Sequence, residues 1–223
     1  MSKIIPPLFH EHDTQPSDNR FVIHGLLLAA GRGRRFDPTG QQHKLLVPVA
    51  PGLPMIRLST QQLLPWVQTL TVVVGPHNLG VVRALAGLPV RIRVCEQADL
   101  GQGVSLRSGL TDAPPDVQGW LIALADMPWI AQTTYQQVRQ ALEAGLACEQ
   151  AAVWQPVYQK RPGHPVAVTK ALAQAYLAQD LDPETGLSAL WRQNPQIRQT
   201  LMLDDAGCIQ DVDHPTDLPV FNS

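Results

Sequence analysis

Four permanent cations crowd one short stretch of the chain: Arg32, Arg34, Arg35 and Lys44. They follow an apolar run, Leu26, Leu27, Leu28, Ala29 and Ala30, that stops at Gly31. Guanidinium and ammonium groups at this density suit a polyanion such as a triphosphate, which they hold by charge-assisted hydrogen bonds. Gly31 and Gly33 allow a closeness of backbone approach that side chains would block. Two carboxylate motifs complement the cations. Asp126, in Ala125-Asp126-Met127-Pro128, closes a second apolar run, and Asp211-Val212-Asp213 comes late in the chain. A carboxylate at the end of such a run is placed to bind Mg²⁺, which favours one or two carboxylates supplemented by water and substrate phosphates. Alternate carboxylates in an extended segment share one face.

These groups need a scaffold that brings strand ends together. Residues 21–29 read as a strand buried on both faces of a parallel sheet, and the cationic turn then lies at its carboxyl end, where open α/β sheets bind ligands. Residues 45–54, with Pro48, Pro51, Gly52 and Pro54, predict an irregular connection or short hairpin. Further strands are expected over 70–74, 90–95, 120–125, 151–155, 164–168, 200–203 and 208–212. Helices are expected over 55–64, stopped by Pro65, and over 79–85, 133–144 and 170–178. Gly75 opens a strand-to-helix turn, and the glycine-rich Gly101-Gln102-Gly103-Val104-Ser105 opens a helix through Leu110. Pro128, two residues after Asp126, forces the chain to turn there. The pattern predicts an α/β fold: one Rossmann-like three-layer domain over 21–220 with a mostly parallel mixed sheet, preceded by a flexible extension over 1–20.

Two familiar phosphate loops are excluded by counting. No G-x-x-x-x-G-K-[ST] string occurs, so the turn is not a P-loop. A dinucleotide fingerprint needs a glycine where Phe36 stands and an acid about twenty residues on for the ribose. No Asp or Glu occurs between Asp37 and Glu96.

Composition narrows the partners. The 223 residues are 44% hydrophobic and 16% charged, with a net charge of −2, which describes an enzyme large enough for one substantial core. From Arg20 to Leu110 the balance is +7, and over the rest it is −9. Nucleic acid is a poor partner for an acidic chain whose cations sit in one turn. Cys95, Cys148 and Cys208 are scattered without metal-type spacing, which suits a reducing cytoplasm. No apolar segment approaches the roughly twenty residues of a membrane span, and the first twenty lack a signal peptide's apolar stretch. A soluble, cytoplasmic protein without a membrane partner is expected.

The string L-L-A-A-G-x-x-x-R-F, followed by K-L-L, resembles the opening signature of nucleotidyltransferases with a GT-A-like fold, the group that includes molybdopterin-guanine dinucleotide synthases. Within them the chain is most similar to the molybdenum cofactor cytidylyltransferases. Ser105-Leu106-Arg107-Ser108-Gly109-Leu110, Ala125-Asp126-Met127-Pro128, Gly163-His164-Pro165 and Asp211-Val212-Asp213-His214-Pro215-Thr216-Asp217 follow in that family's order. The resemblance implies that Leu28, Ala29, Ala30, Gly31, Arg32, Gly33, Lys44, Gly75, Gly103 and Ser105 bind the nucleotide. It implies catalytic roles for Arg35, Lys44 and Asp126, with Asp126 and Asp213 holding Mg²⁺. Ser105 can equally be read as a helix N-cap, and Asp217 as a cap or a solvated acid. On the acceptor side the resemblance points to His164 and Asp182. The sequence departs from the family at residues 37–42, which lengthen the path to Lys44, and at residues 181–188, where a G-D-x-G-A-R motif has lost its arginine.

The reaction implied is nucleotidyl transfer: an acceptor phosphate attacks the α-phosphorus of a nucleoside triphosphate and pyrophosphate leaves. A phosphomonoester with a second pKa of about 6 is largely ionised at neutral pH, so no nucleophile-base pair is required. Resemblance makes CTP the nucleotide and a molybdopterin-type cofactor the acceptor, with a molybdenum hydroxylase as a possible recipient of the product. Relatives use GTP, or sugar and polyol phosphates. A GT-A glycosyltransferase would need the same nucleotide and metal groups but release a nucleoside diphosphate; a non-catalytic binding protein would keep the fold without turnover.

Overall fold

A computed structural model describes residues 20–180 and 182–218. The expected extension over 1–20 therefore lies outside the described residues except for Arg20, as do residues 219 and 220 of the expected domain. The chain forms an α/β fold around one mixed sheet. In chain order its elements are β1 (Ile23–Ala29), β2 (Pro48–Ala50), β3 (Leu53–Pro54), α1 (Met55–Leu63), β4 (Thr69–Val74), α2 (Leu79–Ala84), β5 (Arg91–Val94) and α3 (Gln102–Thr111). There follow β6 (Gly119–Leu124), α4 (Gln132–Ala147), β7 (Val153–Tyr158), β8 (Arg161–Pro162), β9 (Val166–Thr169), α5 (Lys170–Leu177), α6 (Ser188–Gln193) and β10 (Arg198–Met202).

The main sheet runs β10-β7-β9-β6-β1-β4-β5, with β8 paired to β7, while β2 and β3 form a separate hairpin. β1 lies between β4 and β6, parallel to both, and β4 is parallel to β5. The order reverses beyond β6, where β9 runs antiparallel. Strands with helices on both faces must be apolar on both, and β1 is accordingly buried along nearly its whole length. One core layer joins Leu27, Val72 and Leu121 to α1, α2 and α4; the other joins Leu26, Val73 and Ile122 to Leu106, Leu110 and Tyr176 of α3 and α5. Gly109 lets α3 lie flat on the sheet, since a Cβ there would stand 2.3 Å from Leu26 Cδ1.

One expected strand is absent. Residues 208–212 do not join the sheet: Ala206–Ile209 forms a 3-10 turn and the chain beyond is irregular. Asp205 caps that turn by accepting from the Gly207 amide at 2.9 Å, and Gly207 packs so tightly on the Trp129 carbonyl that a Cβ would reach 2.0 Å. These local bonds replace a ladder. α6 has no counterpart in the sequence reading, and among the described residues no helix is long and apolar enough to cross a membrane.

His24 is a polar exception within β1. Its ring is wholly buried between Thr69 Oγ1, at 2.6 Å, and Thr71 Oγ1, at 3.0 Å. Burial pulls its pKa from the ordinary 6.5 to about 4, aided by the Arg91 charge and opposed by Asp112. The folded state thus favours the neutral ring. The stability this contributes is complete above pH 6.5 and is lost as pH falls towards 4, by about 3 kcal/mol in all. Denaturant midpoints should fall steeply across that window, and less steeply in His24→Gln. Parallel profiles for the two proteins would show that His24 is not the group responsible.

Candidate active site

The loop after β1 is built to present cations around a cavity. Gly33 adopts φ +63°, and a Cβ on it would come within 2.8 Å of Lys44 Cβ, so this position needs both the left-handed backbone and the bare α-carbon. Phe36 is buried in the core and anchors the loop where a third glycine was sought. The lengthened connection is closed by Asp37, whose carboxylate accepts from the Thr39 amide at 2.8 Å, the Thr39 hydroxyl at 2.6 Å and the Gln42 amide at 2.7 Å. Those bonds, the Thr39 hydroxyl foremost, hold its pKa below the ordinary carboxylate value. The extra residues fold onto themselves, and the 3-10 turn Lys44–Leu46 begins at the cavity.

Lys44 is the electrostatic hub. Its side chain is only 10% exposed, and Nζ donates to Asp126 Oδ2 at 2.8 Å and to Asp213 Oδ1 at 3.2 Å. Arg35 pairs with the same Asp213, and Arg32 pairs with Asp99. Asp126 lies two residues beyond the end of β6, the neighbour of β1. Asp213 is carried there by a single backbone link, the Val212 amide donating to the Asp126 carbonyl at 2.9 Å. Asp217 fixes the next step by accepting from the Asp213 and His214 amides at 2.9 and 2.7 Å, bonds that lower its own pKa, with the His214 amide the larger influence. It therefore braces the Asp213 backbone and also acts as a cap, completing a capping box with His214 at the start of the short 3-10 turn Pro215–Asp217 in which it lies.

The cavity, of about 580 Å³, is lined by Leu28, Ala30, Gly31, Arg32, Gly33, Arg35, Lys44, Ser105, Asp126 and Asp213 from the sequence reading. Other expected residues stand back from it. The Ala29 carbonyl accepts from Asn78 Nδ2 at 3.2 Å, and Gly75 packs under the Ala30 carbonyl. Gly103 is covered by the Pro183 and Thr185 carbonyls, which a Cβ would approach to 2.6 and 2.4 Å. Asp182 shapes the same covering segment through a bond from the Glu184 amide at 2.9 Å. His164 is engaged by its own surroundings: its amide donates to the Cys208 carbonyl, and Nδ1 lies 3.4 Å from the Ile122 carbonyl. Burial lowers its pKa, partly offset by that carbonyl and by the Asp126 charge, so the ring is neutral near pH 7. Ser105 is not an N-cap, because Gly101 precedes α3 and Ser105 is a buried residue within it.

The sequence reading did not single out Gln102, Glu184 or Asp211 as site residues, yet all three line the cavity. Asp211 was discoverable from its Asp-x-Asp spacing. Gln102 lay within a glycine-rich turn already marked, whereas only the three-dimensional contact of residues 183–185 with α3 reveals Glu184.

Two carboxylates converging on one cation position make a suitable seat for a divalent ion. Among the described residues no group of three or more His, Cys, Asp or Glu side chains forms a self-sufficient cage. Mg²⁺ fits a two-carboxylate seat because it completes its shell with water and phosphate oxygens.

A cationic turn at the end of a central parallel strand, beside one carboxylate just past the end of its neighbour and a second brought against it by irregular chain, suits an α/β enzyme that handles nucleoside triphosphates: a nucleotidyltransferase. The chain belongs to the MobA-like NTP transferase domain family, whose sequence model matches residues 25–198. No curated protein matches it in sequence. Among solved structures, Rv0371c from Mycobacterium tuberculosis H37Rv superposes with a TM-score of 0.71 at 24% identity, over 88% of this chain and 95% of that one. Its complex with manganese gives 0.68 at the same identity and coverage. A nucleotidyl transferase from Methanothermobacter thermautotroptrophicus gives 0.72 at 22% identity, over 88% and 94%. The inositol-1-phosphate CTP transferase from T. maritima gives 0.63 at 14%, over 89% and 92%. At these identities the likeness establishes the shared fold.

Proposed function

We propose that the chain transfers CMP from CTP to the terminal phosphate of a molybdopterin-type cofactor, releasing pyrophosphate, and that the catalytic domain spans residues 21–220. The observation that carries the transfer chemistry is Lys44 bonded to both Asp126 and Asp213 inside a cavity rimmed by Arg32, Arg34 and Arg35. The ordered motifs that resemble cytidylyltransferases support CTP and the molybdopterin-type acceptor, as does the presence of a CTP transferase among proteins of the same fold. The three scattered cysteines support placement in a reducing cytoplasm, and the resemblance supports a molybdenum hydroxylase as recipient of the product.

In this reading Arg32, Arg35 and Lys44 hold the triphosphate, with the backbone of Ala30, Gly31 and Gly33 leaving room for it. Positioning the α-phosphorus and stabilising charge on the equatorial and leaving oxygens is the whole catalytic task, because the attacking phosphate is already an anion. Asp126 and Asp213 would hold Mg²⁺, which when bound supplies charge neutralisation at phosphate oxygens. His164, neutral and bonded elsewhere, is not asked to move a proton.

The test is pyrophosphate release with Mg²⁺ and each of CTP, GTP, ATP and UTP, with and without molybdenum-loaded molybdopterin. Release that requires both CTP and the cofactor is expected. Release with a sugar or polyol phosphate in place of the cofactor would reassign the acceptor; formation of nucleoside diphosphate from a nucleotide sugar would replace the reaction.

A further inference from the structure

Residues 182–186 form a short strap laid across the start of α3. The Val104 amide donates to the Pro183 carbonyl at 3.1 Å, and the Tyr176 hydroxyl donates to the Thr185 carbonyl at 2.7 Å. Within the strap the Thr185 and Glu184 amides donate to the Asp182 carbonyl and carboxylate, at 2.8 and 2.9 Å. Gly101 and Gly103 make the seat, since a Cβ on either would come within 2.7 Å of a strap carbonyl. Tyr176 is itself held by Arg107, whose guanidinium lies 4.7 Å from its ring centre and bonds to the carbonyls of Leu177 and Gln179. The strap is thus clamped from two helices, and the one side chain it contributes to the cavity is Glu184.

A carboxylate in a phosphate-binding cavity needs a reason. Of the five that line this one, Asp126 and Asp213 share Lys44, Asp99 pairs with Arg32, and Asp211 stands two residues before Asp213 on the same irregular segment. Glu184 abuts Gly101 instead, with its carboxyl carbon 2.8 Å from where a Gly101 Cβ would stand, and Gln102 and Ser105 line the same cavity. Phosphate would be repelled there. The uncharged part of a nucleotide is the partner that remains, and an ionised carboxylate can only accept hydrogen bonds. It therefore selects a base that offers an amino group. Cytosine presents one donor, its exocyclic amine, next to two acceptors, its ring nitrogen and carbonyl. The Gln102 amide and Ser105 hydroxyl can donate to those two.

We infer that Glu184 is a specificity-determining residue that recognises the exocyclic amino group of the nucleotide's base, with Gln102 and Ser105 as its donor partners. This rests on the nucleotidyl-transfer reading and adds to it the means by which cytosine is told from uracil. In uracil a carbonyl replaces the amine, which sets acceptor against acceptor. A glutamine at this position would relieve that clash, because its amide both donates and accepts.

Binding of CTP and of UTP, each with Mg²⁺, should be measured by calorimetry on the full chain and on Glu184→Gln and Glu184→Ala. The wild type should favour CTP by about tenfold or more, the usual consequence of leaving a site's polar group opposed or unpaired. Both variants should bring the ratio close to unity. Because Glu184 is an exposed strap residue and the ratio is internal to each sample, incomplete folding does not imitate the effect. An unchanged ratio, or a wild type indifferent to the base, overturns the inference. The measurement needs no acceptor. Failure of turnover with molybdopterin alongside an intact CTP preference would therefore count against the proposed acceptor alone.

Discussion

Asp126→Asn should reduce pyrophosphate release by about 10³-fold, comparable to losing a main electrostatic contributor to a phosphoryl-transfer site. The substitution preserves shape and removes charge. It leaves Lys44 with one ionised partner, Asp213, and removes half of the two-carboxylate seat. The backbone around it keeps its bonds, since the Asp126 carbonyl, not its side chain, receives the Val212 amide. Unfolding by denaturant should therefore shift little while turnover collapses. A variant within tenfold of wild type would remove Asp126 from the centre of the reaction.

Lys44→Met should move two measurements in opposite directions. Pyrophosphate release should fall by about 10²-fold or more, because a preorganised cation near the transferred phosphate is lost. Binding of Mn²⁺ in the absence of nucleotide should tighten by about tenfold, because the ammonium that now sits between Asp126 and Asp213 competes for the same position, and without it two like charges face each other. Titration followed by the paramagnetic signal of free Mn²⁺ reads the second effect. A misfolded variant would lose both, so the opposed signs identify the role of Lys44. Unchanged Mn²⁺ binding would show that its ammonium and the ion do not share a place.

How much of this was readable in the sequence depended on how local each signal is. The cationic turn was clear because Leu26 to Ala30 break so abruptly at Gly31, and the sheet buries that run as expected. Asp126 was clear for the same reason, at the end of another apolar run. The wrong strand at 208–212 arose because Cys208, Ile209 and Val212 imitate strand composition, while the deciding contacts, Asp205 with the Gly207 amide and Gly207 with the Trp129 carbonyl, are invisible to periodicity. Gly103, assigned to the nucleotide by resemblance, has the chain's own strap over it, a contact no local pattern announces. The loop after Phe36 lengthens the path to Lys44. Its excess is taken up by the turn closed by Asp37.

The two carboxylates that share Lys44 are mounted differently. Asp126 is bolted to the sheet, two residues beyond the ladder that joins β6 to β1. Asp213 rides on irregular chain, held by the Val212 amide and the brace of Asp217. The pair resembles a vice with one fixed jaw and one adjustable jaw. Mutation near the adjustable jaw can reset the gap between them, and with it the fit for ions of different radius, without disturbing a single strand. Under the proposed metal-holding roles the adjustable jaw, Asp213, lies outside residues 25–198 that match the family's sequence pattern, while the fixed jaw, Asp126, lies within them.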